Sequence, residues 1–259
     1  MDFLETVIAE RKADARADRR EQWSLARSGA PRPSFVDAIR AKRAAGRIAV
    51  IAEVKRRSPA LGTLAADADP ASLATTYAAG GAAAISVLTE PRHWGGSVAD
   101  LVAVAMAVDL PILYKDIVVD EQQLHEAADA GASAVLLIAE ALDDATLASF
   151  VETAKSLGLA PLVEAHEHDA FARAVSCGAT MVGVNARNLR VPAEIDHERI
   201  EALHGLVRPH QLLIAESGIA TVADIASLPG RVDAVLVGTA LMTADDPGLL
   251  VRAMAECRR

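Results

Sequence analysis

Eight short apolar segments recur along the chain from residue 47 onward, and each is followed by a stretch with helical spacing. The segments predict eight buried strands, at 48–55, 83–88, 111–115, 134–139, 161–165, 181–185, 212–216 and 234–238. Strands that alternate with helices form parallel sheets, because each helix carries the chain back to the start of the next strand. The pattern therefore predicts an α/β fold of the (β/α)8 TIM barrel type.

The first 46 residues have a different pattern, with many charged side chains at helical spacing and no strand-like segment. They predict two helices, at about 2–27 and 34–45, with Ser34 as the N-cap of the second. No Pro-, Gly- or Ser-rich linker divides residues 47–259. We expect one domain, residues 1–259, with an N-terminal helical extension at 1–46 and the barrel at 47–259.

Several predicted strands end in a charged or amide side chain where a buried strand would otherwise remain apolar. These residues are Glu53, Lys55, Lys115, Glu164, Asn185 and Glu216. Glu53 and Lys55 are two positions apart, so on a strand they point to the same side. Because parallel-barrel enzymes carry their active sites at the carboxyl ends of the strands, we expect an active site built from these side chains.

Two turns near the C-terminus are typical of phosphate binding. Ser217 and Gly218 follow the seventh predicted strand, and Gly238 and Thr239 follow Leu236 at the end of the eighth. In barrels of this class the loops after strands seven and eight commonly bind phosphate through backbone N–H groups. Glycine would allow the backbone to approach the phosphate oxygens closely. We predict a phosphate site here.

Lysine and histidine residues raise two further expectations. A lysine that acts as a general acid needs a pKa closer to neutrality, and we expect burial and mutual repulsion to lower the pKa of Lys55 and Lys115. His166 and His168 form a His-x-His pair that could bind a metal, but no third ligand with suitable spacing is nearby. A solvent-facing loop or a helix cap is the favoured interpretation of the pair, and no metal site is predicted.

Composition excludes several kinds of partner. The formal net charge of -9 argues against nucleic acid, whose phosphates bind basic surfaces, but a small anion remains possible where positive charge is local. No apolar run approaches membrane-spanning length, and the N-terminal residues are too charged for a signal peptide. The two cysteines lack metal-ligand spacing and suit a reducing compartment. We expect a cytoplasmic protein without a membrane partner, as a monomer or a weak homodimer.

Over essentially its whole length the chain resembles the indole-3-glycerol phosphate synthase family. The motifs that carry the resemblance are IAEVKRRSP at 51–59, AISVLTE at 84–90, WGGS at 94–97, PILYKD at 111–116, LVEAH at 162–166, GVNARNL at 183–189 and AESGI at 215–219. The chain departs from the pattern usual in that family at Ala60, Tyr114, Ile117 and Ala186. Tyr114 stands where arginine is usual, and Ile117 stands where phenylalanine is usual.

The resemblance implies a cofactor-free lyase of tryptophan biosynthesis. Such an enzyme converts 1-(2-carboxyphenylamino)-1-deoxyribulose 5-phosphate into indole-3-glycerol phosphate, with loss of carbon dioxide and water. It implies that Lys115 is the general acid, that Lys55 holds the substrate carboxylate and assists dehydration, and that Glu164 is the general base. The implied roles of the other site residues are orientation for Glu53, Asn185 and Glu216, substrate contact for Ser58 and Arg187, and an apolar wall for Trp94.

Other functions remain open at this point. Phosphoribosylanthranilate isomerase shares the phosphate turns, but the cysteine base expected on its first strand is absent here. A class I aldolase would use Lys115 as a Schiff base. A paralogous lyase could act on a related aromatic amino-sugar phosphate, and a non-catalytic barrel could bind phosphate alone.

Overall fold

A computed structural model of the chain describes residues 1–16 and 32–258. Within these residues eight parallel strands are hydrogen-bonded into a closed barrel. The strands are β1 (Ala49–Val54), β2 (Ala84–Leu88), β3 (Ile112–Lys115), β4 (Ala134–Ile138), β5 (Ala160–Ala165), β6 (Met181–Asn185), β7 (Leu212–Glu216) and β8 (Ala234–Val237). Each strand pairs with its neighbours in chain order, and β8 pairs with β1 to close the ring. The predicted TIM barrel is confirmed, and each strand lies within one residue of its predicted bounds.

Helices follow the strands around the outside of the barrel. In the described part of the chain these are α3 (Pro70–Gly80), α4 (Val98–Ala107), α5 (Glu121–Asp129), α6 (Asp144–Ser156), α7 (His168–Ser176), α8 (Arg199–Leu203), α9 (Val222–Ser227), α10 (Thr239–Thr243) and α11 (Pro247–Ala255). Short 3-10 turns lie at Ala139–Ala141 and His204–Leu206, and a small hairpin pairs Arg57–Ser58 with Gly62–Thr63. None of the described helices has the length and apolar character needed to cross a bilayer.

Alternation along the strands separates an apolar layer from a polar one. On β1, Val50, Ala52 and Val54 pack outward against the helices. Ala49 and Ile51 point into the barrel, where they contact the interior side chains of the other strands. Glu53 takes the next inward position, at the carboxyl end of the strand. The interior is therefore apolar over most of its depth and charged only at the carboxyl end.

The second predicted helix of the extension is confirmed as α2 (Phe35–Ala44), and it covers the amino-terminal end of the barrel. The Ser34 side chain accepts a hydrogen bond from the Asp37 N–H and caps the helix, as predicted. Phe35 and Ile39 pack into the barrel interior. Arg43 forms a 2.7 Å ion pair with Asp233 in the segment that leads into β8. These contacts close the end of the barrel opposite to the polar layer.

The first predicted helix is observed as α1 (Phe3–Arg16), and residues 17–27 of the prediction lie outside the described residues. This helix packs at the carboxyl end of the barrel. Val7 is buried against interior residues, and the Phe3 ring meets Trp94 edge to face at 5.8 Å. Arg11 reaches Asp116, which directly follows β3, at 2.9 Å. The extension thus packs against both ends of the barrel.

Candidate active site

A pocket of about 470 Å³ opens at the carboxyl end of the barrel. Predicted site residues that line it are Glu53, Lys55, Trp94, Lys115, Glu164, Asn185, Arg187, Ser217, Gly218, Leu236, Gly238 and Thr239. Ser58 and Glu216 do not line the pocket. Glu216 is fully buried behind Lys115, and Ser58 lies in the hairpin that follows β1. The polar residues predicted at strand ends therefore meet in the pocket from four strands, β1, β3, β5 and β6, with Glu216 of β7 directly behind them.

Two lysines and two glutamates form a continuous chain of ion pairs along the pocket. Lys55 Nζ lies 3.2 Å from Glu53 Oε1, and Lys115 Nζ lies 3.2 Å from Glu53 Oε2. Lys115 Nζ also donates a 3.0 Å hydrogen bond to Glu216 Oε2. Glu53 thus bridges both lysines, so the sequence inference that Glu53 and Lys55 share a side is confirmed by their contact.

The pKa of Lys115 is raised, which contradicts the sequence expectation that it would be lowered. Burial acts to lower this pKa, but the negative charges of Glu216, Glu53 and Glu164 outweigh burial. The expectation assumed that Lys55 would be the nearest charge, whereas Glu53 lies between the two amines. Burial likewise acts to raise the pKa of Glu53, and the charges of Lys115 and Lys55 lower it below its ordinary value. Lys115 is therefore an ammonium ion at neutral pH.

Glu164 differs from Glu53 because its pKa is raised well above the ordinary value. Burial is the main cause, the charge of Glu216 adds to it, and the charge of Lys115 opposes it. Asn185 Nδ2 donates to Glu164 Oε1 at 3.4 Å, whereas Glu164 Oε2 has no hydrogen-bond partner among the described residues. A carboxylate with a raised pKa accepts a proton more readily than an ordinary one, so Glu164 is a candidate general base.

Gly183, which the sequence reasoning missed, provides the space in which the carboxylates of β5 and β7 approach each other. It lies on β6, in register with Glu164 on β5. A Cβ atom at this position would lie 2.4 Å from Glu216 Oε1 and 3.1 Å from the Glu164 Cβ. An isolated glycine inside a strand often marks such a close approach, and this was the available signal.

The two turns predicted to bind phosphate lie side by side in the pocket, after β7 and β8. Gly238 is required there for a reason that the prediction did not include. A Cβ atom at Gly238 would lie 2.3 Å from Glu53 Oε1 and 3.1 Å from Lys55 Nζ, so the glycine makes room for the ion pair. Ser217 and Gly218 both have positive φ, 66° and 74°. Their role in phosphate binding stays a prediction.

Apolar side chains cover the remaining walls of the pocket. They include Leu61, Leu88, Trp94, Ile117, Leu136, Ile138, Leu189, Ile195, Ile219 and Leu236. Of the four positions that depart from the family pattern, only Ile117 lines the pocket. Tyr114 and Ala186 instead pack on the outside of the barrel wall. The wall accordingly has the character needed for an aromatic ring, with Trp94 as its aromatic member.

Arg187 and His197 belong to the loop after β6. Arg187 N–H donates to Asn185 Oδ1 at 3.0 Å, and its guanidinium donates to the Pro192 carbonyl. Burial lowers the pKa of Arg187. His197 lines the pocket beside Gly218, a placement that the sequence reasoning missed because His197 follows no strand. Only the folded loop brings it there.

The interpretation of His166 and His168 as part of a solvent-facing loop or as a helix cap is wrong for His166, since Glu167 is the N-cap residue of α7. The His166 side chain is buried against Glu140, with Nδ1 at 3.0 Å from Glu140 Oε1. His168 is exposed at the start of α7, as the interpretation implied. The described residues contain no cluster of three or more His, Cys, Asp or Glu side chains suited to a metal ion.

Solved structures with the same architecture come from several enzymes. A 3-hexulose-6-phosphate synthase superposes with a TM-score of 0.65 at 19% identity, covering 80% of this chain and 98% of that one. A ligand-free tryptophan synthase from M. tuberculosis superposes with a TM-score of 0.63 at 16% identity, covering 86% and 98%. At these identities the similarity establishes the fold alone.

Sequence comparisons are more specific. The family model described as indole-3-glycerol phosphate synthase matches residues 4–254. A protein of that name from Nocardioides sp. is 49% identical, with 98% of each chain covered. One from Streptomyces griseus subsp. griseus is 47% identical over 95% of this chain and 90% of its own length. The chain belongs to the indole-3-glycerol phosphate synthase family.

Proposed function

We propose that the pocket closes the pyrrole ring of 1-(2-carboxyphenylamino)-1-deoxyribulose 5-phosphate, with loss of carbon dioxide and water, to form indole-3-glycerol phosphate. The observation that carries this proposal is the ammonium group of Lys115, held at 3.0 to 3.2 Å by two carboxylates beneath an apolar wall. The reaction needs a fixed proton donor beside a flat aromatic ring. Membership of the family supports the same chemistry.

Ring closure is the step assigned to Lys115. The ring carbon that carries the carboxylate attacks the ketone carbon, and the electrons of the C=O bond move onto oxygen. An alkoxide is a far stronger base than an amine, so the Lys115 ammonium first stabilises the developing charge and then transfers its proton to the oxygen. Glu53 and Glu216 hold the amine in place, and Glu216 acts as a positioning residue because it does not line the pocket.

Decarboxylation and dehydration follow. Attack leaves an iminium group beside the carboxylate, so the bond to the carboxylate breaks, carbon dioxide departs and the electrons return to the iminium. Lys55 carries positive charge at the pocket wall and is assigned to hold this carboxylate before it leaves. Lys55 then donates its proton to the hydroxyl group formed by ring closure, and this group departs as water.

Glu164 is assigned to the last step, removal of a proton from carbon that makes the indole ring aromatic. Its buried carboxyl lines the pocket and retains an oxygen without a hydrogen-bond partner among the described residues. A base with a raised pKa accepts a proton more readily than an ordinary carboxylate. Asn185 orients it through the 3.4 Å hydrogen bond. Overall the two lysines donate two protons and Glu164 accepts one, which matches the single proton consumed when a carboxylate leaves as carbon dioxide.

The substrate phosphate is assigned to the turns at Ser217 and Gly218 and at Gly238 and Thr239, which line the pocket from neighbouring strands. Arg187 is assigned to the same substrate from the loop after β6. Substrate contact by Ser58 stays a prediction. Three other expectations also stay predictions. They are the cytoplasmic location, the oligomeric state of monomer or weak homodimer, and the division of one domain into residues 1–46 and 47–259.

An aldolase that uses Lys115 as a Schiff base is not supported. Such a lysine must lose its proton to become a nucleophile. Here the charges of Glu216 and Glu53 raise the pKa of Lys115 and favour the ammonium form.

The decisive experiment incubates the purified protein with the carboxyphenylamino-deoxyribulose phosphate and follows indole fluorescence. We expect turnover, and we expect Lys115→Ala to lower kcat by about 10² to 10⁴ while substrate binding changes less than about tenfold. Lys155→Ala is the matched control, because Lys155 pairs with Glu152 on the exposed surface of α6. Unimpaired turnover by Lys115→Ala would exclude the general-acid assignment.

A further inference from the structure

A second buried acid–base pair lies beside Glu164 and has no role in the steps above. Glu140 belongs to the 3-10 turn after β4, and His166 follows β5. Because Ile138 on β4 is in register with Glu164 on β5, the residues two positions further on meet above the strand ends. His166 Nδ1 lies 3.0 Å from Glu140 Oε1, and the two side chains are only 3% and 1% exposed.

Glu140 also holds the backbone directly after β5. Its Oε1 accepts hydrogen bonds from the N–H of His166 at 2.7 Å and from the N–H of Glu167 at 3.0 Å. Arg173 of α7 donates to the Ala139 carbonyl at 2.9 Å and so ties the same turn to that helix. The carboxylate is therefore anchored within two residues of the position from which Glu164 projects.

The charge of Glu140 acts on Glu164. Burial acts to raise the pKa of Glu140, but the contacts from His166 and the Glu167 N–H lower it below its ordinary value, so Glu140 remains ionised. Glu140 Oε2 is buried without a hydrogen-bond partner among the described residues. The negative charge of Glu140 adds to burial and to the charge of Glu216, which are larger influences, in raising the pKa of Glu164.

We propose that Glu140 and His166 form a positioning pair for Glu164. Glu140 fixes the backbone beyond β5 and its negative charge favours the protonated form of Glu164, while His166 keeps Glu140 ionised. The inference rests on the role of Glu164 proposed above. Other groups that act on Glu164 are Glu216 from β7, Lys115 from β3 and the neutral Asn185 from β6. Around Glu140 the titratable or charged groups are His166, Glu167, Arg173 and Asp144.

The test replaces Glu140 by glutamine, which keeps an oxygen for the two backbone N–H groups and removes the charge. Glu164 must be ionised to act as a base, so kcat/KM falls at low pH along a limb that reports the pKa of Glu164. Without the neighbouring negative charge Glu164 ionises more easily. The acid limb of Glu140→Gln should therefore move to lower pH, by about half a pH unit or more.

Asp144→Asn is the matched control. Asp144 begins α6 and is exposed, and its carboxylate contacts Arg173 from the solvent side. The Asp144→Asn substitution removes one negative charge from the same region. The acid limb of its kcat/KM profile should coincide with that of the unmodified protein.

An acid limb unchanged in Glu140→Gln, or shifted equally in Asp144→Asn, would overturn the proposal. Infrared spectroscopy gives a readout independent of turnover. The band of the protonated Glu164 carboxyl, assigned by its loss in Glu164→Gln, should vanish at lower pH in Glu140→Gln than in the unmodified protein, and an unchanged midpoint would contradict the inference. Full activity in Glu164→Gln would instead refute the base assignment, which separates the two failures.

Discussion

Lys115 and Asp116 are neighbours in sequence, but they belong to two different buried polar clusters at the end of β3. The inner cluster consists of Glu53, Lys55, Lys115, Glu164 and Glu216, and all of these except Glu216 line the pocket. The outer cluster joins the barrel wall to α1 and α5 and consists of Arg11, Thr89, Tyr114, Asp116 and Glu126. Both clusters hold carboxylates that are almost completely removed from solvent.

The clusters differ in whether the oxygens of their fully buried carboxylates accept hydrogen bonds. Asp116 Oδ1 accepts from the Ile117 N–H at 2.7 Å, and its Oδ2 accepts from Thr89 at 2.8 Å and Arg11 at 2.9 Å. In the inner cluster Glu164 Oε2 and Glu216 Oε1 have no such partner among the described residues. Burial of charge is common to both clusters, so it does not by itself identify a catalytic group. A buried carboxylate oxygen without a donor, beside a pocket, is the feature that distinguishes the cluster proposed to be catalytic.

The largest effect should come from crowding the inner cluster with Gly183→Ala. The new Cβ would lie 2.4 Å from Glu216 Oε1 and would push the carboxylate away from Lys115. We expect kcat to fall by about 100-fold, since small displacements of catalytic groups are costly, and stability to fall by about 2 kcal/mol. Gly205→Ala, where a Cβ meets nothing within 4 Å, should change neither quantity. Normal turnover by Gly183→Ala would contradict the positioning role of Glu216.

The outer cluster should respond in the opposite way to Arg11→Ala. Removal of the guanidinium leaves the buried Asp116 carboxylate without its ionic partner, so the free energy of unfolding should fall by about 3 kcal/mol. The turnover of the molecules that remain folded should change less than about threefold. Urea unfolding and steady-state kinetics measure the two effects.

Arg40→Ala provides the comparison for Arg11, because Arg40 pairs with Asp37 on the exposed surface of α2 at 3.8 Å. It should cost no more than about 0.5 kcal/mol. A similar loss in both variants would show that the buried pair has no special contribution, and the contrast between the clusters would then fail.

The smallest effect should follow from Tyr114→Phe. The Tyr114 hydroxyl donates to Glu126 Oε2 at 3.1 Å and contacts Asp116 Oδ2 at 3.4 Å, so its loss should lower stability by about 1 kcal/mol. Turnover should not change, because the ring lies outside the barrel wall. Tyr77→Phe loses only a 3.4 Å contact with Met242 Sδ and should cost less. A fall in kcat for Tyr114→Phe would place the outer cluster within the catalytic machinery.

Strand parity explains what could be predicted about these clusters. Side chains alternate between the two faces of a strand, which predicted that Glu53 and Lys55 lie together. Active sites of parallel barrels lie at the carboxyl ends of the strands, which identified the residues that converge on the pocket. The same parity puts Tyr114 on the opposite side of β3 from Lys115, so its departure from the family pattern does not reach the pocket. Ion-pair partners were not predictable, because the distance between two lysines depends on which residue occupies the space between them. That residue is Glu53, and it reversed the expected direction of the Lys115 pKa shift.

By itself the amino-acid sequence determined the barrel, the end of the barrel that carries the chemistry, and the residue types gathered there. Apolar periodicity and strand-end polarity are local properties, so they can be recognised along the chain. Only the tertiary structure decided that Gly183 and Gly238 make room for carboxylates, that Glu140 and His166 meet above β4 and β5, and that α1 reaches Asp116. Each of these contacts joins segments from different strands or helices. Their distances, and the pKa shifts that follow from them, exist only once the ring of strands has closed.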